Sequence, residues 1–226
     1  EGPNSDAAMN ALIELDIELG KLIEGVEAAY ASESPLWIIA SEYSIVPVDH
    51  VTYPNRVLRD AGLLAVKPDA EGRELLDLAA SQAWALVDHQ HAHLFVRDRE
   101  DRTIDQILGL FQEQEGVGNI FRRPTEGGAE TTALDAAFRH ERAGDVILIS
   151  APNSWQAYYW WHDDAVAPAF ARRVDIHQKP GFDPVELFFD PATKGIPLDA
   201  HLVRGSHGAP AEASSQQGVL LSSRPG

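Results

Sequence analysis

The sequence predicts an α/β fold in which a mainly parallel central sheet is flanked by helices on both faces. Three observations lead there. Met9, Leu12, Ile13, Leu19, Ile23 and Val26 recur at three- and four-residue spacing, the period of an amphipathic helix. After a break at residues 32–35, Leu36-Trp37-Ile38-Ile39-Ala40 is a nearly continuous apolar run, the pattern of a strand covered on both faces. With 226 residues and 44% hydrophobic composition, the chain can also bury a sizeable core.

The elements follow in order. Asn4 or Ser5 can cap the first helix, which runs for about six turns. The apolar strand stops at a carboxylate and a phenol, Glu42 and Tyr43. A second helix fits Tyr53 to Ala61, with Val57, Leu58 and Ala61 on one side and Gly62 ending it. From Ala83 to Val96 the alternation predicts one strand with Val87, His89, His91, His93 and Phe95 on a single face. A short helix over Thr103–Glu113 turns Ile104, Ile107, Leu108 and Phe111 inward, and a strand lies near Val117–Phe121. Pro124–Ala129 reads as a Gly-rich loop, Asp145–Ser150 as a strand, and Asn153–Trp161 as an aromatic cluster. Beyond Asp175 polar residues, Pro and Gly dominate. Residues 209–217 are expected to be flexible, with a last short strand at Gly218–Ser222. There is no internal repeat and no convincing linker, so a single domain over 1–226 is expected.

Composition removes several function classes. The 18 basic and 35 acidic residues leave a formal charge of -17, which repels nucleic-acid phosphates and anionic membranes. The chain has no cysteine, which excludes disulfides, thiolate metal sites and thiol nucleophiles. No apolar run approaches the roughly 20 residues of a spanning helix. No signal-peptide pattern opens these residues, which leans towards the cytoplasm while leaving the compartment open. The only methionine is Met9, so a segment upstream of Glu1 is expected to be missing.

Four constellations could carry chemistry. Glu42 and Tyr43 follow a buried strand, where open α/β sheets face their ligand crevice, although a solvated turn pair has the same sequence. The row His89, His91, His93 offers imidazoles at alternate positions of one strand face, a spacing at which two rings can reach one metal ion; a bonded or exposed histidine row is the alternative. Asp175 and His177, two apart, could share a metal or form an oriented pair, or pair with Arg172 or Arg173 in a loop. Gly205-Ser206-His207-Gly208 presents an imidazole between small residues. Gly-x-Ser-x-Gly, Walker, Gly-x-Gly-x-x-Gly and His-Glu-x-x-His motifs are absent.

Taken in order, six segments add up to a pattern. They are the Gly2-Pro3-Asn4-Ser5 opening with Leu15-Asp16-Ile17-Glu18-Leu19-Gly20; Trp37–Ala40 with Ser41-Glu42-Tyr43-Ser44; Asn55–Leu64; Asp88-His89-Gln90; His140–Asp145; and Gly205–Gly208. Together they resemble the carboxyl-terminal portion of the type I phosphodiesterase/nucleotide pyrophosphatase branch of the alkaline phosphatase superfamily, over nearly the whole chain. The resemblance implies an incomplete alkaline phosphatase-like domain and hydrolysis of phosphodiester or nucleotide pyrophosphate bonds in a small-molecule substrate. It implies two divalent metal ions, zinc first and iron or manganese as alternatives. It also implies a Thr or Ser nucleophile lying upstream of this chain, so that the chain alone would be inactive. Ser41-Glu42-Tyr43-Ser44 stands where the family carries Ser-Asp-His-Gly, whose Asp and His bind one metal; His207 stands where the family supplies a histidine to the other. Glu42, Tyr43 and His207 are therefore the expected metal residues, with His89, His93, Asp175 and His177 as further candidates for metal or substrate. A degenerate, non-catalytic binding domain, or a sulfatase, phosphonate hydrolase or phosphomutase of the superfamily, would share these features.

Overall fold

The structure is a computed structural model and describes residues 2–30, 33, 35–124, 138–173 and 190–224. Its elements in chain order are α1 (Asp6–Ala29), β1 (Ile38–Ala40), β2 (Val46–Pro47), β3 (His50–Thr52), α2 (Pro54–Asp60), β4 (Val66–Pro68) and β5 (Glu74–Leu76). There follow β6 (Ala83–Asp88), β7 (His91–Val96), α3 (Asp101–Gln112), β8 (Val117–Arg122), β9 (Val146–Ser150), β10 (Ser154–Gln156), β11 (Gly205–Ser206) and β12 (Leu220–Ser222). The chain divides into two compact units, residues 1–48 with 203–226, and residues 49–202.

In the first unit, Ser5 caps α1 as its position predicts: its Oγ accepts from the Ala8 N–H at 3.2 Å, satisfying one of the free donors of the first turn. β1 pairs antiparallel with β12, setting Ile39 opposite Leu221. β2 pairs antiparallel with β11, setting Val46 opposite Ser206. The apolar run at Leu36–Ala40 predicts a strand covered on both faces, yet the strand is three residues long and Ile38 is 61% exposed. α1 likewise has no buried residue. The apolar pattern in this unit is real, but the described residues do not cover it. Residues 209–217 are largely exposed and include one 3-10 turn at Ser214–Gln216.

The second unit holds the core. Its main sheet has the order β6-β7-β9-β8, and every neighbour in it is antiparallel. This corrects the expectation of a mainly parallel sheet: among the described strands only β3 and β10 pair parallel. A parallel pair needs a long crossover connection, whereas β6 and β7 are joined by two residues and can only run antiparallel. The same turn corrects the single strand expected over 83–96. Asp88 faces His91 across the hairpin, and His89 takes the left-handed φ of 52° in the turn.

α2 and α3 form where the periodicity places them, α2 with Pro54 in its first turn. Ile104, Ile107 and Phe111 of α3 are buried as predicted. Arg122 of β8 ties α3 down by bonding Asp101 and Asp105 at 2.5 and 2.9 Å. Among the described residues no helix is long and apolar enough to cross a membrane.

Candidate functional site

The first unit brings together Tyr43 and His207, more than 160 residues apart in sequence. The antiparallel ladder is the cause. Ser206 pairs with Val46, so extending the register by one residue sets His207 opposite Ile45 and leaves Tyr43 as its diagonal neighbour, within reach of an aromatic ring. The two rings stack, centroids 3.5 Å apart and planes 11° apart. Gly205 permits the close approach of β11 to β2, because a Cβ there would lie 2.8 Å from Ile45 Cγ2 and 3.1 Å from Pro3 Cδ. Gly208 follows His207 with φ +107°, a conformation that L side chains rarely adopt. Ser206 is buried, and its Oγ has no hydrogen-bond partner among the described residues. Ser41, ahead of Glu42, is fixed by two bonds to Val219: its N–H donates to the Val219 carbonyl at 2.9 Å, and its Oγ accepts from the Val219 N–H at 2.7 Å. Glu42 and Tyr43 are both exposed.

The second unit separates the histidine row. His89 sits in the hairpin turn, whereas His91 and His93 remain on one face of β7 with rings meeting edge to face at 5.7 Å. Asp88 lies 3.8 Å from His89 Nε2 and 3.6 Å from His91 Nε2. His93 Nδ1 accepts from the Gly144 N–H at 3.0 Å, so that nitrogen is unprotonated. Burial lowers the pKa of both His91 and His93; the neighbouring histidine opposes their charge further, while Asp88 partly compensates. Among the described residues no group of three or more His, Asp or Glu side chains could hold a metal ion. Asp175 and His177 lie outside the described residues.

The aromatic cluster is core. Tyr158, Tyr159, Trp160 and Trp161 are almost wholly buried, in mutual contacts such as the 4.3 Å stack of Tyr159 on Trp161. Three residues of the Asn55–Leu64 segment hold that cluster. Asn55 Nδ2 donates to the Tyr158 carbonyl at 2.9 Å, Arg56 Nε to the Trp161 carbonyl at 2.7 Å, and Arg59 Nη1 to the Trp160 carbonyl at 2.9 Å. The sequence hardly signals this role: its only trace there is a polar Asn beside the apolar positions of a short helix.

A family model described as type I phosphodiesterase/nucleotide pyrophosphatase matches residues 1–183. The chain belongs to this family. No curated protein sequence matched it. Among solved structures, murine ectonucleotide pyrophosphatase/phosphodiesterase 5 matches with a TM-score of 0.56 at 12% identity, covering 97% of this chain and 42% of that one. Phosphonoacetate hydrolase from Sinorhizobium meliloti 1021, in complex with phosphonoacetate, matches with a TM-score of 0.36 at 16% identity, over 56% of this chain and 29% of the other. The first match shows an alkaline phosphatase-like fold, and the chain spans well under half the length of that structure.

The family resemblance implies metal ions, and the stack tests which residues fit them. A carboxylate oxygen and an imidazole nitrogen are suitable donors for zinc or iron, so Glu42 and His207 fit by chemistry. Tyr43 is constrained by geometry. An imidazole binds an ion close to its own plane at about 2.0–2.1 Å. The phenol plane lies a full stacking distance away, so His207 and the Tyr43 oxygen cannot share one ion while the rings stay stacked.

Proposed function

We propose that the intact protein is a metal-dependent hydrolase of phosphodiester or nucleotide pyrophosphate bonds, and that this chain contributes one wall of its metal site. One observation carries the reading: Tyr43 and His207, both aligned by resemblance with metal ligands of the family, meet ring on ring from distant parts of the sequence. Glu42 would supply an oxygen ligand to one of two divalent ions and His207 a nitrogen ligand to the other, with zinc the first candidate and iron or manganese the alternatives. Such a pair, when bound, polarises phosphoryl oxygens and sharpens the attacking nucleophile. The β2–β11 ladder and the Gly205–Gly208 loop hold the imidazole in place, and the Ser41–Val219 bonds fix the chain just ahead of Glu42. The nucleophile, a Thr or Ser, lies in this proposal outside the 226 residues, and the chain alone is inactive.

The substrate is a small phosphate ester or nucleotide, since a charge of -17 opposes a polyanion. The test uses the full-length protein. About two metal equivalents and hydrolysis of bis(4-nitrophenyl) phosphate are expected, with His207→Ala and Glu42→Gln each lowering kcat/KM by more than about tenfold. A protein that takes up no metal on reconstitution and cleaves no ester would sink the reading. Parallel assays with phosphomonoesters, sulfate esters and phosphonates separate the other hydrolases and mutases of the superfamily. A non-catalytic phosphoryl-binding domain is the second reading, favoured by the Glu42–Tyr43 pair at the Asp–His position; nucleotide binding without turnover would support it.

A further inference from the structure

We propose that the second unit carries a site for a small zwitterion, a molecule with ammonium and carboxylate groups of the kind a basic amino acid presents, in the cavity between Arg56 and Asp199. The proposal is independent of the metal-site reading.

The cavity holds about 570 Å³, within the range of small-molecule sites, and Tyr53, Arg56, Asp163, Asp164 and Asp199 line it. Its charges are of both signs and stand apart. Among the described residues Arg56 forms no ion pair with any of the three carboxylates, although an unanchored arginine would close on one. Anchoring holds it back: Nε donates to the Trp161 carbonyl at 2.7 Å, and the guanidinium lies over the Tyr53 ring, 4.2 Å from its centroid. Its two Nη groups take no bond among the described residues, and they form an edge with which a guanidinium grips a carboxylate bidentately.

The carboxylates are fixed in the same way. One oxygen of each accepts from a local donor, Asp163 from the Ala165 N–H at 2.8 Å, Asp164 from Trp161 Nε1 at 3.0 Å and Asp199 from the His201 N–H at 3.0 Å. The second oxygen of each takes no bond among the described residues. The phenol of Tyr53 senses these charges: burial raises its pKa, Arg56 opposes this, and Asp199 and Asp164 raise it further, so the hydroxyl stays protonated. His162, also on the wall, is engaged by Asp60 at 3.0 Å. A simple anion meets three negative charges here, and a simple amine meets the guanidinium. A ligand with both groups satisfies both sides at once, and because both sides are already oriented, little freedom is lost on binding. The excess of carboxylates favours a second positive charge, which selects a basic amino acid over a neutral one. A metal ion does not fit, since among the described residues no group of three or more acidic or histidine side chains could hold one.

Calorimetry on the full-length protein tests this with L-lysine as the probe, cadaverine as lysine without its carboxylate and hexanoate as lysine without its amines. Saturable binding of lysine is expected, with cadaverine and hexanoate weaker by at least about tenfold. Asp199→Asn keeps an oxygen for the His201 N–H and removes the charge, and should weaken lysine binding by about three- to tenfold. Arg56→Gln should weaken lysine by a similar factor and leave cadaverine no weaker. Because Arg56 also ties down the Trp161 backbone, an unshifted urea midpoint qualifies that variant, and Asp199→Asn decides alone where the midpoint moves. No saturable binding up to about 10 mM lysine, lysine affinity unchanged in Asp199→Asn, or equal affinity for the three compounds would overturn the proposal.

Discussion

The side-chain amide of Asn55 forms a closed two-point pair with the backbone of Ala85: its Oδ1 accepts from the Ala85 N–H at 2.8 Å, and its Nδ2 donates to the Ala85 carbonyl at 3.0 Å. With its third bond to the Tyr158 carbonyl, this fully buried residue joins α2, the hairpin strand β6 and the aromatic core. Asn55→Ala should lower stability by about 2–4 kcal/mol, since three hydrogen bonds go and buried backbone groups are left unpaired. Asn55→Asp should be at least as harmful at neutral pH, because it removes both donors and buries a charge. Urea midpoints at constant m-value measure both; an unchanged midpoint in Asn55→Ala would contradict the role.

Stability should also fall as pH drops into the acid range. Burial holds the folded-state pKa of His91 and His93 below the ordinary value of 6.5. Between the folded and unfolded values the unfolded chain binds more protons, so stability rises with pH through that window and is flat above about 6.5. Protonating His93 at Nδ1 also breaks its bond from the Gly144 N–H. Unfolding free energies should rise with pH below about 6.5 and level off above it, and His93→Gln should reduce the rise. A slope of the opposite sign, or one indifferent to the substitution, would refute the assignment.

Ser206 and Gly205 should respond in opposite directions. Ser206 Oγ is buried without a partner among the described residues, so Ser206→Ala is expected to be neutral or stabilising by up to about 1 kcal/mol. Gly205→Ala forces a Cβ against Ile45 and Pro3 and should cost about 1–3 kcal/mol. Because it pushes β11 from β2, it should also disturb the stack of Tyr43 on His207 and weaken the upfield shift that the Tyr43 ring gives the His207 ring protons, which nuclear magnetic resonance would record.

The first unit presents Leu220, Val219, Leu221, Ile38 and Leu36, each more than half exposed, and its helix α1 leaves Met9, Leu12 and Ile13 equally open. Apolar patches of this kind mark surfaces that bind other protein. Produced by itself, the chain should bind an apolar dye and self-associate, and replacing Leu220 and Leu221 by Ser should reduce both. A clean monomer without dye binding would contradict the expectation.

Patterns confined to one element are legible in the sequence. The α1 cap at Ser5, the positions of α2 and α3, and the strand at Val146–Ser150 follow from capping chemistry, periodicity and apolar runs, all of which act over a few residues. The segments that resemble a phosphodiesterase are legible too, and the family match over residues 1–183 covers five of the six, all but Gly205–Gly208. The hairpin at 88–91 is not: a two-residue turn reverses the chain without disturbing the alternation on either side, so the histidines read as one row.

What the sequence by itself determined is therefore local conformation, the charge that disfavours polyanions, and the family. Tertiary structure alone decided the direction of the main sheet, the retirement of the aromatic cluster into the core, and the meeting of Tyr43 with His207. The physical reason is that these depend on strand pairing and burial between residues far apart in sequence. Glu42 and Tyr43 read as the end of a strand; the ladder from Val46 to Ser206 is what lays an imidazole on the phenol.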